Sequence, residues 1–169
     1  MRRLMLLRHA KALPAEGGAD FDRPVGERGR ANAQSIGEFM ASHGLETSLA
    51  LVSPAVRARQ TFDIVDVSLK NSPRIRLEPA IYEAGTDTLL KLVRGVPAKH
   101  PSVLLVGHNP GFEDLANELI LSGSKPALSR FQRRMPTAAL AVIDFEVNNW
   151  KRIKPQSGHL SIFATPADL

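Results

Sequence analysis

Leu4-Met5-Leu6-Leu7-Arg8-His9-Ala10 is the stretch whose reading decides the fold. Four apolar residues in a row stop abruptly at Arg-His. A short apolar run of this kind fits a strand buried on both faces, as in a parallel sheet covered by helices. Such a strand delivers a guanidinium and an imidazole together at its carboxyl end. The pairing suits phosphate chemistry. Arginine offers a planar fork of donors to a phosphoryl group. A neutral imidazole nitrogen can attack phosphorus or carry a proton.

Working outward, strands and helices alternate. Lys11–Pro24 is rich in Gly, Ala, Asp and Pro and reads as a loop. Gly26–Ser42 is an amphipathic helix, with Ala33, Ile36, Gly37 and Met40 at helical spacing and Gly44 as a stop. Leu49–Val52 is a short strand. Ser53-Pro54 pairs a capping residue with a helix-starting proline and predicts a helix from Pro54 to about Leu69. Arg74–Leu77 is a shorter strand, Glu78–Gly85 a loop, and Asp87–Gly95 a helix. Ser102–Val106 is a buried strand. Asn109-Pro110 repeats the cap-then-proline signal and predicts a helix to about Leu121. Gly123–Pro136 reads as a basic loop. Ala138–Phe145 is a strong strand, Trp150–Ile153 its hairpin partner, and Leu160–Phe163 a further strand. This order predicts an α/β layered domain. No internal boundary or repeat interrupts it, so residues 1–169 are expected to form one domain.

Three of the apolar strands end alike. The first ends in Arg8-His9. Leu49–Val52 runs into Ser53-Pro54 and a helix carrying Arg57. Ser102–Val106 runs into Gly107-His108-Asn109-Pro110. Ligands of open α/β sheets bind beyond the carboxyl ends of the strands. If the three strands are parallel neighbours, Arg8, His9, Arg57 and His108 converge there, and two helix N-termini add backbone donors. Each residue alone is weak evidence, because every strand ends in something. Together they define an anion site suited to a phosphoryl group. His43, His100 and His159 read as ordinary loop and helix-end histidines. No spacing typical of metal ligands occurs, so no metal site is expected.

Composition narrows the classes further. The 169 residues include 22 Lys and Arg against 17 Asp and Glu, a net charge of +5, which favours anionic partners. There is no cysteine, which rules out disulfides, thiolate metal sites and a cysteine nucleophile, and agrees with an expected cytoplasmic location. No apolar run is long enough to span a bilayer, so no membrane association is expected. Met1-Arg2-Arg3 with Leu4–Leu7 loosely imitates a signal peptide, but the run is too short and meets Arg8 at once. Aromatic residues make up 5% and the basic residues are spread, which argues against nucleic acid. Arg130, Arg133 and Arg134 form the nearest thing to a basic cluster.

Leu7-Arg8-His9-Ala10, Ser53-Pro54-Ala55-Val56-Arg57-Ala58-Arg59-Gln60-Thr61 and Gly107-His108-Asn109-Pro110 together resemble the histidine phosphatase, or phosphoglycerate-mutase-like, superfamily. Asp22-Arg23-Pro24-Val25-Gly26-Glu27-Arg28-Gly29, the short length, and Phe163-Ala164-Thr165-Pro166 resemble its SixA-type phosphohistidine phosphatase branch. Ala10 stands where the usual signature has glycine. The resemblance implies a three-layer α/β/α sandwich with a mostly parallel central sheet. It implies that His9 is a nucleophile that is transiently phosphorylated, and that Arg8, Arg57 and His108 hold the phosphoryl oxygens. Asn109 joins the expected substrate-binding residues. Glu83 occupies the position of the acid that protonates the leaving group in many members; a solvated loop carboxylate is the alternative reading. No metal or organic cofactor is required. The implied substrate is phosphohistidine on a signalling protein. Two alternatives stand beside it: small phosphate esters or nucleotides, and a non-catalytic phosphate- or nucleic-acid-binding module. A chain this short leaves little material for a cap, so the expected site is shallow, provided Gly123–Pro136 forms no lid.

Overall fold

In the computed structural model, which describes residues 1–169, the N-terminal apolar run is the interior strand β1 (Arg2–Arg8). On one side β1 pairs in parallel with β4 (Ser102–Gly107), β4 with β2 (Leu49–Val52), and β2 with β3 (Arg74–Leu77). On the other side it pairs antiparallel with β6 (Leu140–Phe145), and β6 antiparallel with β7 (Gly158–Ala164). Strand β5 (Ile120–Gly123) closes that edge, parallel to β7. The result is one seven-stranded sheet in which β6 alone runs against the rest. The α/β layering read from the residues, and the mostly parallel central sheet that the family resemblance implies, are therefore the fold observed.

Alternation along the strands explains the layers. Leu4 and Leu6 face one core with Leu51, Val103 and Leu105; Met5 and Leu7 face the other with Ala50, Val52, Leu104 and Val106. Helices α1 (Glu27–Ser42) and α2 (Val56–Asp66) cover the second face through Ala33, Ile36, Met40, Phe62 and Val65. Helices α3 (Thr86–Arg94), α4 (Gly111–Leu119) and α5 (Lys125–Phe131) cover the first through Leu89, Val93, Phe112, Leu115 and Phe131. Leu4 to Leu7 are 0% exposed. Each such side chain contributes roughly 1.5–3 kcal/mol of burial, so a run with no polar face is stable only inside such a sandwich.

Four expectations need correction, each for a physical reason. Gly123–Pro136 is a loop only in its last part: Lys125–Phe131 is a helix, which Ser124 caps by accepting from the Ala127 N–H, at 3.3 Å, with Pro126 in the first turn. Its Ala127 and Phe131, one helical turn apart, bury the helix against the sheet. The helix expected to reach Leu121 stops at Leu119, and Ile120–Gly123 turns into β5 against β7. Trp150–Ile153 is no hairpin partner. Trp150–Arg152 is a 3-10 turn that buries the indole, whose N–H donates to the His100 carbonyl at 2.7 Å. Ser53-Pro54 does not cap a helix, because α2 begins two residues later at Val56; the Ser53 hydroxyl accepts only from the Ala55 N–H, at 3.3 Å, ahead of the helix, and meets His108.

Candidate active site

Register brings the three strand ends level. Leu7 pairs with Val106 and Val106 with Val52, so Arg8-His9, Gly107-His108 and Ser53 leave the sheet side by side. The His9 N–H donates to the Gly107 carbonyl at 2.9 Å, and the Ser53 N–H to the Val106 carbonyl at 3.0 Å. Gly107 makes this possible. A Cβ there would lie 2.6 Å from Ile81 and from Phe112, so no larger residue fits between β4 and the chain that turns over it. The His9 and His108 rings end 5.2 Å apart, both nearly buried.

Each imidazole is held in a defined state. The His9 Nδ1–H donates to the Ala10 carbonyl at 2.8 Å, in the tautomer that leaves Nε2 with its lone pair. The Arg57 Nε–H, in the first turn of α2, donates to that nitrogen at 3.3 Å. Burial, reinforced by Arg57 and Arg8, pushes the His9 pKa down to about 4. His108 is pushed down to about 3, by burial first and then by His9 and Arg57. Both rings are therefore neutral near pH 7. His108 Nε2 lies 2.7 Å from the Ser53 hydroxyl, while its Nδ1 is buried without a partner. Ala10 is fully buried; its N–H donates to Thr61 Oγ1 at 2.9 Å, so the small side chain after Arg-His fits in place of glycine.

The cations are braced from opposite sides. Arg8 donates through Nη1 to the Met135 carbonyl at 2.9 Å, and its Nε has no partner. Asn109 supports the same carbonyl: its Nδ2 donates to Met135 O at 2.8 Å and to Glu113 Oε2 at 3.2 Å, and its Oδ1 accepts from the Glu113 N–H at 3.2 Å. Arg57, with 7% of its side chain exposed, donates Nη1 to the Asp20 carbonyl at 2.8 Å and Nη2 to the Asp20 carboxylate at 3.0 Å. Tyr82 donates its hydroxyl to the same carboxylate at 2.7 Å and stands edge-on to His108, 5.4 Å between centroids. The Tyr82 hydrogen bond, with those of Arg23 and Arg57, holds Asp20 well below the usual carboxylate range.

Arg8, His9, Arg57 and His108 thus come together as the strand ends imply. Asn109 lies beside them, with its amide committed to Met135 and Glu113. Glu83 is exposed, follows Tyr82 in the left-handed region (φ 58°), and makes no hydrogen bond. Asp20 and Tyr82 escape a reading by strand ends because both sit in loops. The only sequence signal is the acidic pair flanking Phe21, of which Asp20 rather than Asp22 reaches the site. No three His, Asp or Glu side chains converge as metal ligands do. What converges is two guanidiniums, two neutral imidazoles and one ionised carboxylate, a set that binds a tetrahedral oxyanion and offers it a nitrogen lone pair.

Comparison with known proteins agrees with this geometry. Residues 4–88, which carry Arg8, His9, Arg57 and Glu83, match the model of the histidine phosphatase superfamily (branch 1). The uncharacterized protein Rv1276c of Mycobacterium tuberculosis is 30% identical over 162 residues, covering 95% of this chain and 99% of that protein. The structure of the candidate phosphohistidine phosphatase SixA from Agrobacterium tumefaciens superposes with a TM-score of 0.80 at 33% identity, over 98% of this chain and 99% of that one. That of the candidate SixA from Nakamurella multipartitia gives 0.82 at 28% identity, over 98% and 96%. The sheet order, the strand-end site and the matched sequence point one way: this chain has the phosphoglycerate-mutase-like fold and belongs to the histidine phosphatase superfamily.

Proposed function

We propose that the protein is a phosphatase in which His9 Nε2 is the nucleophile, and that its substrate is phosphohistidine on a protein. The observation that carries the reading is the state of His9: buried, neutral, and locked by the Ala10 carbonyl in the tautomer that presents a lone pair. Arg8, Arg57 and His108 hold the phosphoryl oxygens, and an oxygen supplies the partner that His108 Nδ1 lacks. In the first step a P–Nε2 bond to His9 forms as the P–N bond of the substrate breaks. The bond's electron pair leaves with the substrate imidazole, which is protonated on its other nitrogen. In the second step water attacks phosphorus, the P–Nε2 bond breaks, and inorganic phosphate departs. The residues do little covalent work beyond this; positioning and charge neutralisation lower the barrier.

The carboxylates favour phosphohistidine over esters. An alkoxide leaves poorly without a positioned acid. Asp20 is held ionised and has no proton to give. Glu83 is exposed and unanchored. An imidazole needs neither, since it leaves as a neutral, protonated ring. Asn109 supports Arg8 through the Met135 carbonyl rather than touching substrate. Within Gly123–Pro136, Lys125–Phe131 is a helix packed on the sheet, the rest walls the site through the Met135 carbonyl, and the open cleft beside Arg8 leaves room for a side chain on a protein surface.

The test is hydrolysis of a phosphohistidine protein and of an aryl phosphate, side by side, by wild type and His9→Ala with chelator present. Phosphohistidine turnover that falls by at least about a thousandfold in the variant is expected. Turnover of the aryl phosphate alone would move the substrate to small esters. Full activity in the variant would remove His9 as nucleophile.

A further inference from the structure

We propose that the cleft next to Arg8 docks an acidic stretch of the protein that carries the phosphohistidine; this rests on the reading above. The cleft has a volume of about 620 Å³, shares Arg8 with the phosphoryl site, and is lined beside it by Asn109. Its far side is built by Arg130 and Arg134, at the end of α5 and just after it. Both are exposed. The ion pairs of the molecule join Arg3 to Asp144, Arg23 and Arg57 to Asp20, and Arg76 to Glu78, so neither cleft arginine has an acidic partner. Neither donates a side-chain hydrogen bond. Glu113 lines the same cleft, but its carboxylate is turned to the Met135 N–H and the Asn109 amide, at 2.8 and 3.2 Å. The cleft therefore sets three guanidiniums, Arg8, Arg130 and Arg134, against the single carboxylate of Glu113, an excess of positive charge beside a site that is itself cationic.

Backbone geometry fixes where these charges point. Gln132 and Arg133 both lie in the left-handed region, at φ 40° and 62°, and end α5 in a tight turn. The turn sends Arg134 into the cleft with Arg130, and sends Arg133 to a separate depression beside Asn117 and Leu121. A strand of protein laid along the cleft meets Arg130 and Arg134 while its phosphorylated residue meets Arg8. Acidic residues flanking the phosphohistidine are the chemistry that fits. Nucleic acid fits less well, because no exposed aromatic ring lines the cleft for a base to stack on; Phe131 is 4% exposed and faces the core.

The experiment uses two phosphohistidine peptides that differ only in flanking Glu or Lys, together with phosphoimidazole. Wild type is expected to show a KM about tenfold lower for the Glu peptide at low salt, a gap that closes as salt rises. Arg130→Glu with Arg134→Glu removes or inverts the preference. Arg133→Glu, which makes a like charge change outside the cleft, keeps it. Equal KM values for the two peptides in wild type, or equal loss of preference in Arg133→Glu, overturns the docking proposal alone. RNA binding that is lost in the double variant while peptide preference is unchanged overturns it in favour of nucleic acid. No turnover of phosphoimidazole or either peptide ends the phosphohistidine reading and this inference with it.

Discussion

The state of the His9 ring is set by a carbonyl one residue away, by burial and by two arginines. The Ala10 carbonyl fixes the ring's proton on Nδ1, and Arg57 aims an N–H at Nε2. Burial then keeps the ring from taking a second proton, with a pKa near 4. The ring proposed as the nucleophile is thus neutral at pH 7, and no separate base is needed to strip it. NMR titration of the ring resonances should place the His9 midpoint near pH 4; a midpoint near 6.5 would mean the ring is solvated and the tautomer free. Arg8, His9, Arg57 and His108 were legible in the sequence because each follows an apolar strand closely. Asp20 was not, because its role depends on a loop reaching back 37 positions short of Arg57 to meet it. Asn109 was legible as a helix-starting residue, and it does accept from the Glu113 N–H. Its hold on the Met135 carbonyl could not be read, since that contact spans 26 positions.

At the scale of elements, β4 is the strand on which the site depends. It pairs with β1 and β2 and so sets His9, His108 and Ser53 at one level. Its last residue, Gly107, has Ile81 and Phe112 where a side chain would go. Gly107→Ala should cost about 1–3 kcal/mol of stability, since those two residues must shift. It should also lower turnover, since His108 follows directly. Denaturant unfolding and kcat check both; unchanged stability would mean the gap is wider than it looks. Strands β1, β2, β4 and β6 and helix α1 could be read from pattern because their apolar residues are buried in unbroken runs or at helical spacing; β5, short and half exposed, could not. Helix α5 was obscured by its basic, exposed face, although Ser124 and Pro126 carry a start signal like that at Asn109-Pro110. The Trp150 turn was misread because its apolar residues fill a core gap rather than join a ladder. The cap at Ser53 is missing because α2 starts only at Val56; the Ser53 hydroxyl accepts from the Ala55 N–H at 3.3 Å and also meets His108.

For the whole molecule, keeping two neutral imidazoles in a cationic site costs stability at low pH. Both folded pKa values lie below the unfolded value of about 6.5. The unfolded chain therefore binds more protons between about pH 6.5 and 3, so stability falls as pH drops through that window and recovers as it rises. The variant His9→Gln, His108→Gln should lose less stability than wild type between pH 7 and 4.5, as read by denaturant midpoints at each pH. Equal losses would contradict the neutral, buried state of the rings. In the proposed mechanism that state serves one event, the transfer of a phosphoryl group to His9 before water releases it. The measurement that reaches it most directly is mass spectrometry of peptides from enzyme quenched in alkali during turnover of phosphoimidazole, since phosphohistidine survives base and is lost in acid. An acid-labile phosphoryl group on His9, absent from His9→Ala, is the predicted result. Steady turnover with no phosphoryl group on the protein, or with one on another residue, would contradict the account.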